Sequence, residues 1–90
     1  MSNDPINVDP KELRAFAGQL HRFNTDLAVS SARLSSQFRE LGETWRDPAY
    51  AKFAGEFEQL MKHLQHFRQV SDEVVPRLQR TAERAEAVHR

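Results

Sequence analysis

Residues 13–41 read LRAFAGQLHRFNTDLAVSSARLSSQFREL, with Leu13, Leu20, Leu27, Leu34 and Leu41 at strict seven-residue intervals. Seven residues are close to two turns of an α-helix, so the repeat draws one apolar stripe along a helix. In a strand, with its period of two, the same leucines would alternate between faces. Phe16, Phe23 and Phe38 lie three or four residues from a leucine and reinforce the stripe. Upstream, Asp9-Pro10-Lys11-Glu12 is a helix start: Asp9 can accept from unpaired N–H groups, Pro10 suits the first helical position and Glu12 takes the capping-box position. Downstream, Gly42 is the expected C-cap. A first helix is predicted over about 9–41.

The second half repeats the logic. After Asp47-Pro48, a 3-4 spacing runs through Tyr50, Phe53, Phe57, Leu60, Leu64, Phe67, Ser71, Val74, Leu78, Thr81, Ala85 and Val88. Ten of those twelve are apolar, which fits a helix over about 48–88 and no strand. Ala54, Met61, Val75 and Ala82 widen the stripe enough to serve two neighbours. Pro76 removes a backbone donor and crowds the preceding turn. Because Leu78, Ala85 and Val88 stay in phase with what precedes it, a kink near Pro76 with the helix resuming is expected. Residues 42–47 are too few for a domain linker, and a short connection makes antiparallel neighbours. The fold class is all-α: an antiparallel two-helix hairpin over 9–90, preceded by a disordered arm over 1–8.

Two rods bury a single seam, so a hairpin of this size is expected to need a partner. Dimerisation into a four-helix bundle is the simplest closure. Leu20, Leu27, Leu34, Phe57, Leu64 and Phe67 are the expected core and dimer residues. Ala28, Ser31, Ala32, Ser35 and Ser36 are small enough for a close helix approach, and the serines equally suit a face turned to water.

Composition narrows the function. The 90-residue chain carries 13 basic and 13 acidic residues, against the basic excess expected of a nucleic-acid or anionic-membrane binder. It has no cysteine, which excludes a disulfide framework and a thiolate metal site. Residues 1–9 carry neither the basic nor the apolar region of a cleavable leader, and no stretch is apolar enough to insert in a membrane. The chain is expected to be cytoplasmic as made, and to leave the cell, if it does, without a cleavable signal peptide.

Catalytic chemistry has little support. His63 and His66 lie near Glu56 and Glu58, and Glu86 with His89 forms a Glu-x-x-His pair, but all fall off the apolar seam and read as solvated surface. No nucleophile elbow, phosphate loop or zincin motif occurs. Neither an enzyme, a cofactor nor a metal is expected. Arg77, Arg80 and Arg84 share one face, where Glu73 is placed to pair with Arg77 and Glu83 with Arg80.

The sole tryptophan, Trp45, sits in the connection, where it can cap the bundle end or anchor a partner. A tryptophan between two long helices, followed eight residues later by Phe53 and then by Phe57 and Leu60, resembles the WXG superfamily, the ESAT-like hairpins of type VII secretion. The likeness implies a dimer, with a second copy or a sister hairpin, acting as a secreted substrate, chaperone or adaptor. Its partners would be the secretion machinery or a larger cargo protein. It makes Trp45, Asp47, Tyr50 and Phe53 the turn and recognition residues. Two positions depart from the pattern. The turn is Trp45-Arg46-Asp47, with aspartate where the family has glycine. The C-terminal Tyr-x-x-x-Asp/Glu is missing, since the only tyrosine is Tyr50, with Ala54 four residues on. That second departure supports an alternative, a cytosolic coiled-coil scaffold or adaptor that is not exported.

Overall fold

The computed structural model describes residues 7–88 as two helices, α1 (Pro10–Thr44) and α2 (Ala49–Val88), folded back on each other. Most of the predicted arm, residues 1–6, and residues 89–90 lie outside the described part. Both helices start with the same device. The Asp9 carboxylate accepts from the Lys11 N–H at 2.9 Å, and the Asp47 carboxylate from the Ala49 N–H at 2.9 Å. In each case the intervening proline has no N–H to satisfy and its fixed φ suits a helix entry.

The connection is shorter than predicted, and lies later. α1 runs past Leu41 to Thr44, and its cap is Trp45, whose extended backbone donates its N–H to the Leu41 carbonyl at 3.0 Å. Gly42 is therefore not the C-cap: it is helical, and no glycine among the described residues has a positive φ. Its lack of a side chain serves a different end. A Cβ on Gly42 would stand 2.5 Å from the Tyr50 hydroxyl oxygen and 3.1 Å from its ring carbon Cζ. Glycine is there to let an aromatic ring of α2 lie on the backbone of α1.

α2 continues through Pro76 without a break. Polar contacts also cross between the helices. Asn24, only 5% exposed, donates both amide hydrogens across it, to the Arg68 carbonyl at 3.1 Å and the Asp72 carboxylate at 2.8 Å. Toward the open end Arg14 pairs with Glu86, which raises the Arg14 pKa chiefly through the side-chain hydrogen bond.

The core is thin. Among the described residues the buried apolar ones are Ala17, Val75, Ala82 and Ala85, and no large side chain is completely enclosed. The molecule measures 65 × 26 × 13 Å, its radius of gyration of 19.9 Å far above the roughly 12 Å of a compact domain this long. It exposes 7119 Å² of surface, where a globular monomer of 10.4 kDa exposes about 5,400 Å². The excess, about 1,700 Å², exceeds the roughly 800 Å² that each partner contributes to a standard interface.

A candidate helix-docking face and the aromatic tip

The strict leucine repeat does not follow the seam. Leu13, Leu20 and Leu27 are half-buried against α2, but Leu34 and Leu41 are 43% and 45% exposed, and Ser35 and Gly42 take their places. An ideal helix drifts about 20° per seven residues relative to a seven-residue repeat, so over three heptads the stripe rotates about 60° out of a straight seam. On α2 the same separation occurs. Phe57, Leu64, Val75, Ala82 and Ala85 face α1, while Phe53, Leu60 and Phe67, seven residues apart, stand 42–50% exposed beside them.

These displaced residues lie together on one side of the hairpin. The Phe23 and Phe67 rings meet edge to face with centroids 5.9 Å apart. Leu34, Leu41 and Phe53 line one recess of about 240 Å³, floored by Phe38 and Phe57. Phe16, seven residues before Phe23, and Leu60, midway between Phe53 and Phe67, extend the row along both helices. Seven large apolar side chains thus form a stripe from the open end to the tip. A single exposed leucine needs no explanation, whereas an aligned row of this length is a continuous apolar surface.

Among the residues expected to carry assembly, Leu20, Leu27, Phe57 and Leu64 are half-buried in the seam, whereas Leu34 and Phe67 belong to the open stripe. Phe16, Phe23, Leu41 and Leu60 join that stripe and were not among them. The signals that could have found them were the seven-residue steps 16-23 and 34-41 on α1 and 53-60-67 on α2, which run beside the seam series.

Of the four residues expected at the tip, Trp45, Tyr50 and Phe53 form one aromatic cluster. The Trp45 ring lies 5.3 Å from Tyr50 and 5.6 Å from Phe53, centroid to centroid. Phe38 ties this group to α1, stacked on Tyr50 at 5.6 Å and on Phe57 at 4.4 Å. Asp47 serves beside them as the start of α2 through its bond to Ala49. Phe38, at the centre of the cluster, and Gly42, beneath Tyr50, are the parts that sequence reasoning left out of the site.

On the opposite side of the hairpin, Ala28, Ser31, Ala32 and Ser35 border a recess of about 220 Å³ with Met61, Leu64, Gln65 and Arg68. Ser31 and Ser35 are half-buried, Ser35 contacting the Met61 sulfur at 3.5 Å, while Ser36 is exposed. Among the described residues no three His, Cys, Asp or Glu side chains come close enough to hold a metal, and His89 lies outside them. Neither expected arginine pair forms: Glu73–Arg77 and Glu83–Arg80 are absent, and Arg14–Glu86 is the ion pair the described residues contain. These exposed pairs would contribute little, so solvation suffices for the long side chains. No described helix is long and apolar enough to cross a membrane.

Known proteins of this shape exist. Crystal structures of EsxB, a secreted protein of Bacillus anthracis, superpose with a TM-score of 0.77 at 24% identity, covering 97% of this chain and 99% of that one. The wild-type protein in space group P21 matches with a TM-score of 0.75 at 25% identity over 93% and 97% of the two chains. Among curated proteins none matches the chain. The model of a family described as proteins of 100 residues with WXG matches residues 5–88. With the two-helix hairpin and the tryptophan at its tip, that match over nearly the whole length places the chain in the WXG100 family, the small helical proteins associated with type VII secretion.

Proposed function

We infer that the protein is a non-enzymatic subunit that pairs through its open apolar stripe, with a second copy or a sister hairpin, and is exported as that pair by a type VII route. The observation that carries this reading is the row Phe16, Phe23, Leu34, Leu41, Phe53, Leu60 and Phe67, each more than two-fifths exposed. An excess surface of about 1,700 Å² over a globular monomer is of the size an obligate interface buries. The likeness to secreted EsxB supports the export step. The role within that system is substrate, chaperone or adaptor, with the aromatic tip around Trp45 as the surface offered to machinery or cargo.

Within residues 1–90 the sole tyrosine, Tyr50, has Ala54 rather than an acid four residues on, and a subunit that stays inside as a scaffold is the second reading. Fractionation of the native culture tests both. The expected result is intact chain in the medium of unlysed cells, and retention of a Leu60→Glu variant inside. A chain found only in the cytoplasm supports the scaffold, and normal export of the variant removes the stripe from the account.

A further inference from the structure

Near the end of α2, Arg77, Arg80 and Arg84 line a recess of about 220 Å³ together with Thr81. Thr81 is half-buried and its hydroxyl donates to the Arg77 carbonyl at 2.9 Å, which fixes the floor of the recess. The three guanidinium side chains are exposed, and among the described residues no carboxylate pairs with any of them. Three like charges within two helical turns repel one another, and surface helices normally intersperse them with acids at i±3 and i±4. Here Glu73 and Glu83 have that spacing and still do not close. The recess also continues the apolar row, since Thr81 stands seven residues after Val74 and fourteen after Phe67.

We propose that this recess binds carboxylates of an acidic helical segment on a partner protein, one whose Asp or Glu residues follow at three- or four-residue spacing. A guanidinium presents a planar fork that accommodates a carboxylate with two parallel hydrogen bonds. The chain's zero net charge offers no long-range attraction to a polyanion, so short-range recognition of carboxylates is favoured over nucleic acid. The anion recognition stands on the arginines alone, whichever hairpin lies on the stripe.

The test uses a fluorescent helical peptide with three glutamates at such spacing, its glutamine counterpart, and anisotropy at fixed salt. The acidic peptide should bind the intact chain, and both its glutamine counterpart and an Arg77→Gln/Arg80→Gln/Arg84→Gln variant should reduce affinity about tenfold, the sum expected of three exposed charge pairs. The same variant should keep the wild-type mass by light scattering. Equal binding by the variant, or displacement of the peptide by inorganic phosphate or a single-stranded oligonucleotide at lower concentration, overturns the proposal. So does loss of self-association in the variant, which would assign the arginines to a second copy. Should the glutamine variant fail to fold, the triple Arg→Lys variant decides: weakened binding supports bidentate recognition and unchanged binding refutes it.

Discussion

Gly42→Ala sets two effects of known sign against each other at a place where the structure decides between them. Gly42 lies within α1, two residues from its last turn's end, so alanine should stabilise the helix by up to about 1 kcal/mol. Against that, the new methyl would meet the Tyr50 hydroxyl oxygen at 2.5 Å and Cζ at 3.1 Å. A lone tyrosine could swing away, but this ring is stacked on Phe38 and held edge-on by Trp45. Moving it disturbs the whole tip, an overpacking cost of about 1–3 kcal/mol. The net expectation is a loss of about 1 kcal/mol, since the overpacking term exceeds the propensity gain. Removing the hydroxyl should reverse the sign: with Tyr50→Phe in place the nearest ring atom is at 3.1 Å, a contact that a shift of a few tenths of an ångström relieves. In that background Gly42→Ala should stabilise by about 0.5–1 kcal/mol. Urea unfolding of the four proteins by far-UV circular dichroism, at one protomer concentration, closes the cycle. If Gly42→Ala stabilises equally in both backgrounds, the Tyr50 ring does not rest on Gly42 and the account of the tip is wrong.

Further substitutions probe the caps, the seam and the tip. Asp47→Ala and Asp9→Ala should each cost about 1 kcal/mol in urea unfolding, with Asp47→Asn recovering most of its loss; a silent Asp47→Ala would mean the carboxylate does not start α2. Asn24→Leu should raise stability by about 1 kcal/mol, because the Asn24 carbonyl oxygen finds no partner among the described residues and leucine adds apolar burial; a clear loss would show that the bonds to Arg68 and Asp72 matter more. Trp45→Ala should cost about 1–2 kcal/mol, since the ring is half-buried against Tyr50 and Phe53, and unchanged stability and partner binding would leave the tryptophan without a role.

The helices were legible because their signals are local. Asp9-Pro10 and Asp47-Pro48 mark entries by backbone chemistry alone, and ten apolar residues in 3-4 spacing leave one secondary structure open. What faced what was harder. Leu34 and Leu20 occupy the same heptad position, yet one is open and the other half-buried, because the drift between 3.5 and 3.6 residues per turn accumulates only over several heptads. Gly42 read as a C-cap from its place after the last leucine. Its actual service, space for a ring eight residues later, is a tertiary contact that local rules do not contain. Similarly, i,i+4 spacing made Glu73–Arg77 available without making it form, since exposed pairs gain too little to order two long side chains. The resumption of α2 beyond Pro76 was legible in the phase of Leu78, Ala85 and Val88.

Light scattering across a dilution series, with the intact chain beside Leu60→Glu, addresses the docking face most directly. The account predicts twice the 10.4 kDa chain mass for the intact protein, or for its complex with a sister hairpin a mass near the sum of the two, and a monomer for the variant. A lone, stable 10.4 kDa species at high concentration that captures no sister hairpin would contradict it.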